Sequence, residues 1–240
     1  MADTSSGSSP EGQPGSGVAC SKNESIAAVA AAYLERGRDI IPCCRGNANE
    51  LRVQSTQLVE WARATGFLID YVPPSGARKS QGAEHEVFFD HTANRVFKKT
   101  HPGSFGSILT EKGVRRSATP YYYLRRLELI KDVFEDDIRL EGIVGGESPS
   151  IIISQPWAYP ENPKAPLPTL TEIKHFMKSL GFVQVPYTLH EWFRASDGIR
   201  VSDARPDNFI KSRNGVVPID LLIADGSLVD FSELESSYVR

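Results

Sequence analysis

The stretch that decides the fold runs from Asp203 to Asp220 and reads DARPDNFIKSRNGVVPID. Asp203 and Asn208 stand five positions apart at its start. Two short apolar runs follow, separated by residues 213–215, Arg-Asn-Gly, and the second run ends just before Asp220. Because an Asn-Gly pair between apolar runs favours a tight hairpin turn, this pattern predicts a β-hairpin that returns Asp220 towards the loop of Asp203.

This loop and hairpin supply the residue types that phosphoryl transfer needs. Such a site needs one carboxylate to orient the acceptor hydroxyl, and an amide oxygen and a second carboxylate to hold magnesium. The spacing of Asp203 and Asn208 is that of the protein-kinase catalytic loop, H-R-D-L-x-x-x-N, which D-F-G follows. The pattern therefore predicts a phosphoryl-transfer site, the alternative being a surface turn with a capping aspartate.

Length and composition restrict the class of protein. The 240 residues suit one moderate domain or two small lobes. With 40% hydrophobic and 24% charged residues, the composition is that of an ordinary globular protein. The net charge of −3 gives no indication of a nucleic-acid-binding surface. We expect neither a signal peptide nor a membrane span, because apolar runs of the required length are lacking.

The cysteines indicate a reducing environment. Cys20, Cys43 and Cys44 cannot all pair with one another, and the last two are adjacent. The sequence has no CxxC pair or His/Cys cluster that would predict a zinc site. We therefore expect a cytoplasmic protein with reduced thiols.

Helical and strand periods alternate along the chain. Apolar residues at helical spacing, with capping residues and terminal glycines, predict helices. These run from Ser25 or Asn23 to about Arg36, from about Asn49 to Thr65, from Thr119 to about Glu135 and from about Thr169 to Leu180. Runs rich in β-branched and aromatic residues predict antiparallel strands at Glu84–Asp90, Arg95–Thr100, Asp137–Val144 and Ser150–Gln155. This order indicates an α+β fold.

The strand RVFKKT, residues 95–100, resembles the kinase strand V-A-I-K that presents a phosphate-binding lysine. Residues two apart on a strand share a face. Val96 and Lys98 are therefore expected to point together into a nucleotide cleft, Val96 towards the base and Lys98 towards the α- and β-phosphates. Lys99 is then expected to face solvent.

Three further residues complete the expected nucleotide site. Glu128, beside the apolar stripe of the third helix, is the candidate carboxylate to pair with Lys98, and an ion pair with a basic residue of its own helix is the alternative. Gln155 and Trp157 begin an irregular, Pro-rich link that extends to Pro168. In a two-lobed kinase this place is the hinge, whose backbone binds adenine.

These runs together resemble a known family, the small Ser/Thr/Tyr-kinase-like domains of bacterial and phage polyvalent proteins. The resemblance covers roughly residues 57–224 and rests on EHEVFFD…RVFKKTHPGSFG, TPYYYLRRLELIKDVFEDDIRLEGI, SIIISQP and DARPDNFI…PID. It implies a reduced two-lobed protein-kinase-like fold with ATP and magnesium as cofactors. It also implies Lys98 as the phosphate lysine, Asp203 as the catalytic residue, and Asn208 and Asp220 as magnesium ligands.

Under this interpretation the chain divides into four segments. Residues 1–23 are rich in Ser, Gly and Pro and are expected to form a disordered tail. Residues 24–66 are N-terminal helices, and residues 67–158 are the lobe that binds nucleotide. Residues 159–240 are a truncated second lobe with the catalytic loop and the metal-binding hairpin.

The predicted function is transfer of the γ-phosphate of ATP to a hydroxyl acceptor, either a protein or a small molecule. A nucleotide-binding pseudokinase, acting as a regulatory or interaction module, is an alternative that the missing G-x-G-x-x-G favours and the complete set of Asp203, Asn208 and Asp220 opposes. A small-molecule phosphotransferase of the aminoglycoside-kinase type has the same D-x-x-x-x-N loop. A phage structural or host-interaction protein would carry these carboxylates incidentally.

Overall fold

The structure is a computed structural model, and it describes residues 25–40, 48–73, 78–109 and 115–225. The segment 1–23, for which the sequence predicts disorder, lies outside the described residues. None of the described helices is both long and apolar enough to cross a membrane.

The helices of the described ranges lie close to where the sequence predicts them. They are α1 (Ile26–Ile40), α2 (Ala48–Thr65), α3 (Pro120–Phe134) and α4 (Leu170–Ser179). Ser25 begins α1, because its Oγ accepts a hydrogen bond of 3.1 Å from the backbone nitrogen of Ala28. Thr119 precedes α3 with an extended backbone, but its side chain makes no capping hydrogen bond. Pro120 in the first turn, with its preset φ, begins this helix instead.

Helix α4 begins with a complete capping box. The Thr169 hydroxyl accepts a hydrogen bond of 3.3 Å from the backbone nitrogen of Glu172. In return, the Glu172 carboxylate accepts one of 2.8 Å from the backbone nitrogen of Thr169. Gly181, with a φ of 82°, follows the helix in a conformation that glycine adopts without steric cost. These signals confirm both predicted ends of the helix.

The largest sheet of the described strands surrounds the predicted lysine strand. Its members are β1 (Arg78–Gln81), β2 (His85–Asp90), β3 (Arg95–Thr100), β6 (Arg139–Val144) and β7 (Ser150–Pro156). They lie in the order β1-β2-β3-β7-β6, and all neighbours are antiparallel. The lysine strand β3 is the middle strand of this sheet. Helix α3 lies between β3 and β6 in the chain and packs against one face of the sheet.

The remaining described strands are short. Two pairs form hairpins, β4 (Ser107–Leu109) with β5 (Arg115–Ser117) and β11 (Phe209–Ser212) with β12 (Gly215–Pro218). The others are β8 (Val183–Gln184), β9 (Trp192–Arg194), β10 (Ile199–Ser202) and β13 (Leu222–Ala224). These four form a second antiparallel sheet in the order β13-β10-β9-β8. The fold is therefore α+β, as the sequence predicts.

Two hydrophobic clusters share helix α3. In the first, Leu124 and Leu127 of α3 pack with α1, α2 and the large sheet. In the second, Leu129 and Val133 pack with α4 and the second sheet. Because α3 contributes to both clusters, buried apolar surface fixes its position relative to both sheets. Burial of apolar surface stabilises a fold by about 25 cal/mol per Å².

We expect Thr169→Ala to lower the free energy of unfolding by about 1 kcal/mol, because the backbone nitrogen of Glu172 loses its acceptor. Thr171→Ala is the matched control, since Thr171 is exposed in the first turn of the same helix. It should change the free energy of unfolding by less than about 0.5 kcal/mol. Urea denaturation of the two variants measures both values, and equal losses would contradict the role of the capping box.

Candidate functional site

The strand register places Lys98 on the face of the large sheet that contacts α3. Lys98 stands opposite Val87 on β2 and Ile153 on β7, and Val96 stands two residues before it on the same face. Lys98 is buried, with 8% of its surface exposed. Lys99 lies on the opposite face and is half-buried rather than fully exposed.

The Lys98 ammonium is bound by the end of the β11–β12 hairpin. Its Nζ donates a hydrogen bond of 2.5 Å to the carbonyl oxygen of Ile219. Burial lowers the pKa of Lys98, and the neighbouring carboxylates of Asp220 and Asp136 oppose that shift. A group that binds in place of the Ile219 carbonyl therefore meets a cation that is poorly solvated and strongly attractive to anions.

A cleft opens between the large sheet, α3 and this hairpin end. Its polar lining consists of His85, Lys98, Arg126, Asp136, Gln155 and Asp220, beside an apolar wall that includes Ile153 from β7. The cleft therefore brings basic and acidic side chains together next to an apolar surface, the composition expected of a site for a charged small molecule.

Asp220 lies at an exposed position of this cleft, near two residues of the β1–β2 turn region. One ligand atom each of Asp220, Glu84 and His85 lie within 4.8 Å of one another. Carboxylate oxygens are the ligands that magnesium prefers in proteins. The surroundings of Asp220 are therefore suited to a divalent cation.

The loop of Asp203 has an unusual backbone. Asp203 follows β10 with a φ of 60°, in the left-handed region that residues other than glycine rarely adopt. Its carboxylate forms an ion pair with Arg205, whose Nε lies at 3.0 Å. Its carbonyl accepts a hydrogen bond of 2.7 Å from Asn208 Nδ2, at the end of the short 3-10 helix Pro206–Asn208. This bond orients the side-chain amide, and its oxygen Oδ1 is the atom of Asn208 that could bind a metal.

Ile219 joins this loop to the cleft. Its backbone nitrogen donates a hydrogen bond of 2.9 Å to the carbonyl of Asn208, and its own carbonyl accepts the bond from Lys98. Among the described residues, Lys98 and Asp220 line the cleft, whereas Asp203 and Asn208 do not. Asn208 is thus hydrogen-bonded to both Asp203 and Ile219, Ile219 accepts the bond from Lys98, and Asp220 follows Ile219 in the chain.

The residues predicted to contact the base have different surroundings. Gln155 is buried and lines the cleft, and Val96 is its partner in the strand register. Among the described residues, Val96 and Trp157 do not line the cleft. Trp157 instead packs on His91, with ring centroids 4.5 Å apart, and stacks on Tyr159 at 5.6 Å. Trp157 therefore stabilises the link after β7 by ring stacking.

The predicted ion pair between Glu128 and Lys98 is not formed among the described residues. Glu128 instead makes an ion pair with Arg125 of its own helix, and Arg125 also contacts Asp225 at 3.1 Å. The α3 residues that line the cleft include Tyr123, Arg126 and Ile130, which share one face of the helix. Glu128 lies off that face, so the alternative of a pair within the helix is the correct one.

The sequence analysis missed a network on the opposite side of Lys98. Arg126 Nη2 contacts the Glu84 carboxylate at 2.7 Å, and a ring nitrogen of His85 is hydrogen-bonded to the Tyr123 hydroxyl at 2.8 Å. Burial lowers the pKa of His85 to about 3, and the nearby cations Lys98 and Arg126 add to this shift. His85 is therefore neutral near pH 7. The one signal of this network in the sequence was the spacing of Tyr123 and Arg126, which places the two side chains on the same face of α3.

Comparison with protein families agrees with this geometry. Residues 52–224 match the family described as Serine/Threonine/Tyrosine Kinase found in polyvalent proteins. This match spans well over half of the chain, from α2 to β13. The comparisons with curated proteins and with solved structures returned no match. The resemblance predicted from the sequence is thereby confirmed.

We expect the His85→Gln variant to lose less stability than the parent when the pH falls from 7 to 5. Since burial lowers the folded-state pKa of His85 from 6.5 to about 3, the unfolded chain binds more protons between these values, and stability falls as the pH falls through this window. Between pH 7 and pH 5 the parent should lose about 2 kcal/mol more than the variant.

Urea denaturation at the two pH values measures this difference. His175→Gln is the matched control, because His175 is exposed on α4, and it should lose as much stability as the parent. An identical loss in His85→Gln and the parent would contradict the burial of a neutral imidazole at this position.

Proposed function

The chain belongs to the family of serine/threonine/tyrosine kinases found in polyvalent proteins, and on this premise we propose that it transfers the γ-phosphate of ATP to a hydroxyl acceptor with the help of magnesium. The observation that carries the proposal is the run of hydrogen bonds from Lys98 through Ile219 to Asn208 and Asp203. It links the lysine strand, the loop of Asp203 and the hairpin of Asp220, and this linkage supports a role of the three elements in phosphoryl transfer. We place this reaction in the cytoplasm, where ATP is available and where the three cysteines are expected to be reduced.

The groups of the cleft and of the adjoining loop of Asn208 suit both cofactors. Asp220 and Asn208 offer carboxylate and amide oxygens to magnesium, and Lys98 offers N–H donors to phosphate oxygens. The apolar wall at Ile153 and the amide of Gln155 offer a surface and a polar group for the base. When bound, magnesium neutralises charge that develops on the transferred phosphoryl group.

Asp203 is the residue that we propose orients the acceptor hydroxyl and accepts its proton. The bond from Asn208 to the Asp203 carbonyl fixes the backbone, and Arg205 holds the carboxylate in one orientation. Lys98 has to exchange the Ile219 carbonyl for a phosphate oxygen, and this exchange couples nucleotide binding to the position of Asp220. Catalysis of this kind relies on positioning and charge stabilisation.

A nucleotide-binding pseudokinase is the second candidate, and Glu84 is the observation that favours it. Glu84 lies directly before β2, in the turn from β1, where kinases have a glycine-rich loop over the phosphates. A carboxylate there repels phosphate unless a cation neutralises it. Arg126 is bound to Glu84 and supplies such a cation, so nucleotide binding remains possible. The turn lacks the glycine-rich cover over the phosphates, which favours a protein that binds nucleotide without transferring phosphate.

We expect the parent protein to transfer label from γ-labelled ATP in the presence of Mg²⁺, either to itself, to a protein of a bacterial lysate or to a small molecule. Asp203→Asn should slow transfer on the order of 10²-fold, because it removes the general base. Binding of Mg²⁺-ATP should stay as in the parent, since this carboxylate acts only in the transition state. Calorimetry measures binding, and the labelled product is resolved by gel and by thin-layer chromatography.

Asp207→Asn is the matched control, because Asp207 is an exposed carboxylate of the same short loop. It should retain the parent rate. A parent that binds Mg²⁺-ATP but labels nothing is the pseudokinase, and a parent that does not bind ATP rules out both candidates. If Asp203→Asn is as fast as the parent, the catalytic role of Asp203 is wrong.

We expect Lys98→Ala and Lys99→Ala to differ sharply in transfer rate. Lys98 faces the cleft, and loss of a preorganised donor of this kind costs about 10²–10³-fold in rate. Lys99 lies on the other face of β3, so Lys99→Ala should transfer phosphate at close to the parent rate. Circular dichroism verifies that both variants fold. Equal losses, or the larger loss in Lys99→Ala, would contradict the assignment of Lys98 to the phosphates.

A further inference from the structure

We propose that Arg126 on α3 is a second phosphate-binding cation, which acts with Lys98 on the phosphate groups of the nucleotide. This inference rests on the proposed function and extends it, because it assigns a binding residue that the catalytic-loop pattern does not contain. It also assigns Glu84 as the residue that positions Arg126.

The burial and contacts of Arg126 point to an anionic ligand. Arg126 exposes only 6% of its surface and lines the same cleft as Lys98 and Asp220. Its Nη2 is bound to Glu84 at 2.7 Å, whereas its Nη1 is buried and has no hydrogen-bond partner among the described residues. A buried donor without a partner is unfavourable, and more so when it is charged. An anion that enters the cleft and accepts from Nη1 removes that cost.

The two cations of the cleft affect one another. Arg126 is among the groups that lower the pKa of Lys98, after burial itself, so it lies close enough to repel the ammonium. The carboxylate of Asp220 acts on both cations and offsets part of their repulsion, which a bound anion would reduce further. A phosphate group carries several oxygens, and it can accept from a guanidinium and an ammonium at once.

Glu84 is held from two sides and therefore fixes the guanidinium. Its carboxylate accepts a hydrogen bond of 3.1 Å from the backbone nitrogen of Ser107. A Cβ placed on Gly106 would lie 2.5 Å from the same carboxylate, so only glycine allows this close packing. The Arg126 guanidinium also lies over the Tyr123 ring, 5.0 Å from its centre. These contacts hold Nη2 in place and leave Nη1 for a ligand.

This arrangement reverses the charges that protein kinases use at the same place. In kinases the helix supplies a glutamate to the strand lysine, and a glycine-rich loop covers the phosphates. Here α3 supplies an arginine to the cleft, and the carboxylate comes from the turn before β2. A second cation on the helix takes over part of the phosphate binding that backbone amides of a glycine-rich loop provide in kinases.

Calorimetric titrations of the full chain with Mg²⁺-ATP, inorganic tripolyphosphate and adenosine test the proposal. Arg126→Met should weaken binding of ATP and tripolyphosphate by about tenfold or more, and should leave adenosine binding unchanged. Arg126→Lys keeps the charge without the fork and should show a smaller loss of the same kind. Lys131→Met, at an exposed cation of the same helix, is the matched control and should bind all three as the parent does.

The variant Glu84→Gln distinguishes a phosphate-binding role of Arg126 from a purely structural role of its ion pair with Glu84. Gln keeps a side-chain oxygen that accepts from Arg126 Nη2, so Arg126 stays in place, and loss of the negative charge should tighten tripolyphosphate binding severalfold. A loss as large as that of Arg126→Met would show that the pair only supports the fold, and would overturn the proposal. Equal loss of ATP and adenosine in Arg126→Met and Arg126→Lys would overturn it in the same way.

The remaining outcomes distinguish this inference from the proposed function. If Arg126→Met and Arg126→Lys bind ATP as tightly as the parent, the role of Arg126 is wrong and the proposed function stands. If the parent binds tripolyphosphate through Arg126 but binds no adenine nucleotide, the proposed function fails and the phosphate site stands. If the parent binds neither ATP nor tripolyphosphate, both are overturned.

Discussion

Lys98 carries a positive charge into the interior, and the groups that stabilise this charge determine how the other elements of the site are arranged. A buried ammonium needs acceptors and opposite charges close by. The carbonyl of Ile219 supplies the acceptor, and Asp220 supplies a charge from the next position. Since the backbone nitrogen of Ile219 is bound to Asn208, stabilising one cation also fixes the hairpin against the loop of Asp203. The candidate active site is therefore a consequence of how a buried lysine is solvated by protein.

Local signals made a large part of this fold predictable from the sequence. The capping box of Thr169 and Glu172, the alternation on either side of the 91–94 turn and the Asn-Gly pair at 214–215 each depend on residues a few positions apart. Such patterns are read directly from the chain, because the interactions that enforce them are local. The strand position of Lys98 and the hairpin that leads to Asp220 follow from the same kind of signal.

The rest depends on contacts between distant parts of the chain. The sequence placed Glu128 on α3 but did not specify the rotation of that helix, which is set by packing on α1 and the large sheet. In the structure Arg126, and not Glu128, lines the cleft. The partner of Arg126 is 42 positions away in the chain, and no local pattern indicates it. Strands as short as β1 and β13 have no measurable periodicity of their own and exist because a neighbouring strand pairs with them.

The backbone conformation of Asp203 lowers the stability of the fold at the residue whose side chain carries the proposed chemistry. A left-handed conformation costs an ordinary residue roughly 1–2 kcal/mol, and glycine adopts it freely. The φ of 60° therefore makes Asp203 a site where the fold alone would favour glycine. Asp203→Gly would remove this cost in backbone strain, and under the proposed function it would also remove the general base. Backbone strain of this kind clusters at functional sites, where the surrounding structure holds a residue in a conformation that it would otherwise avoid.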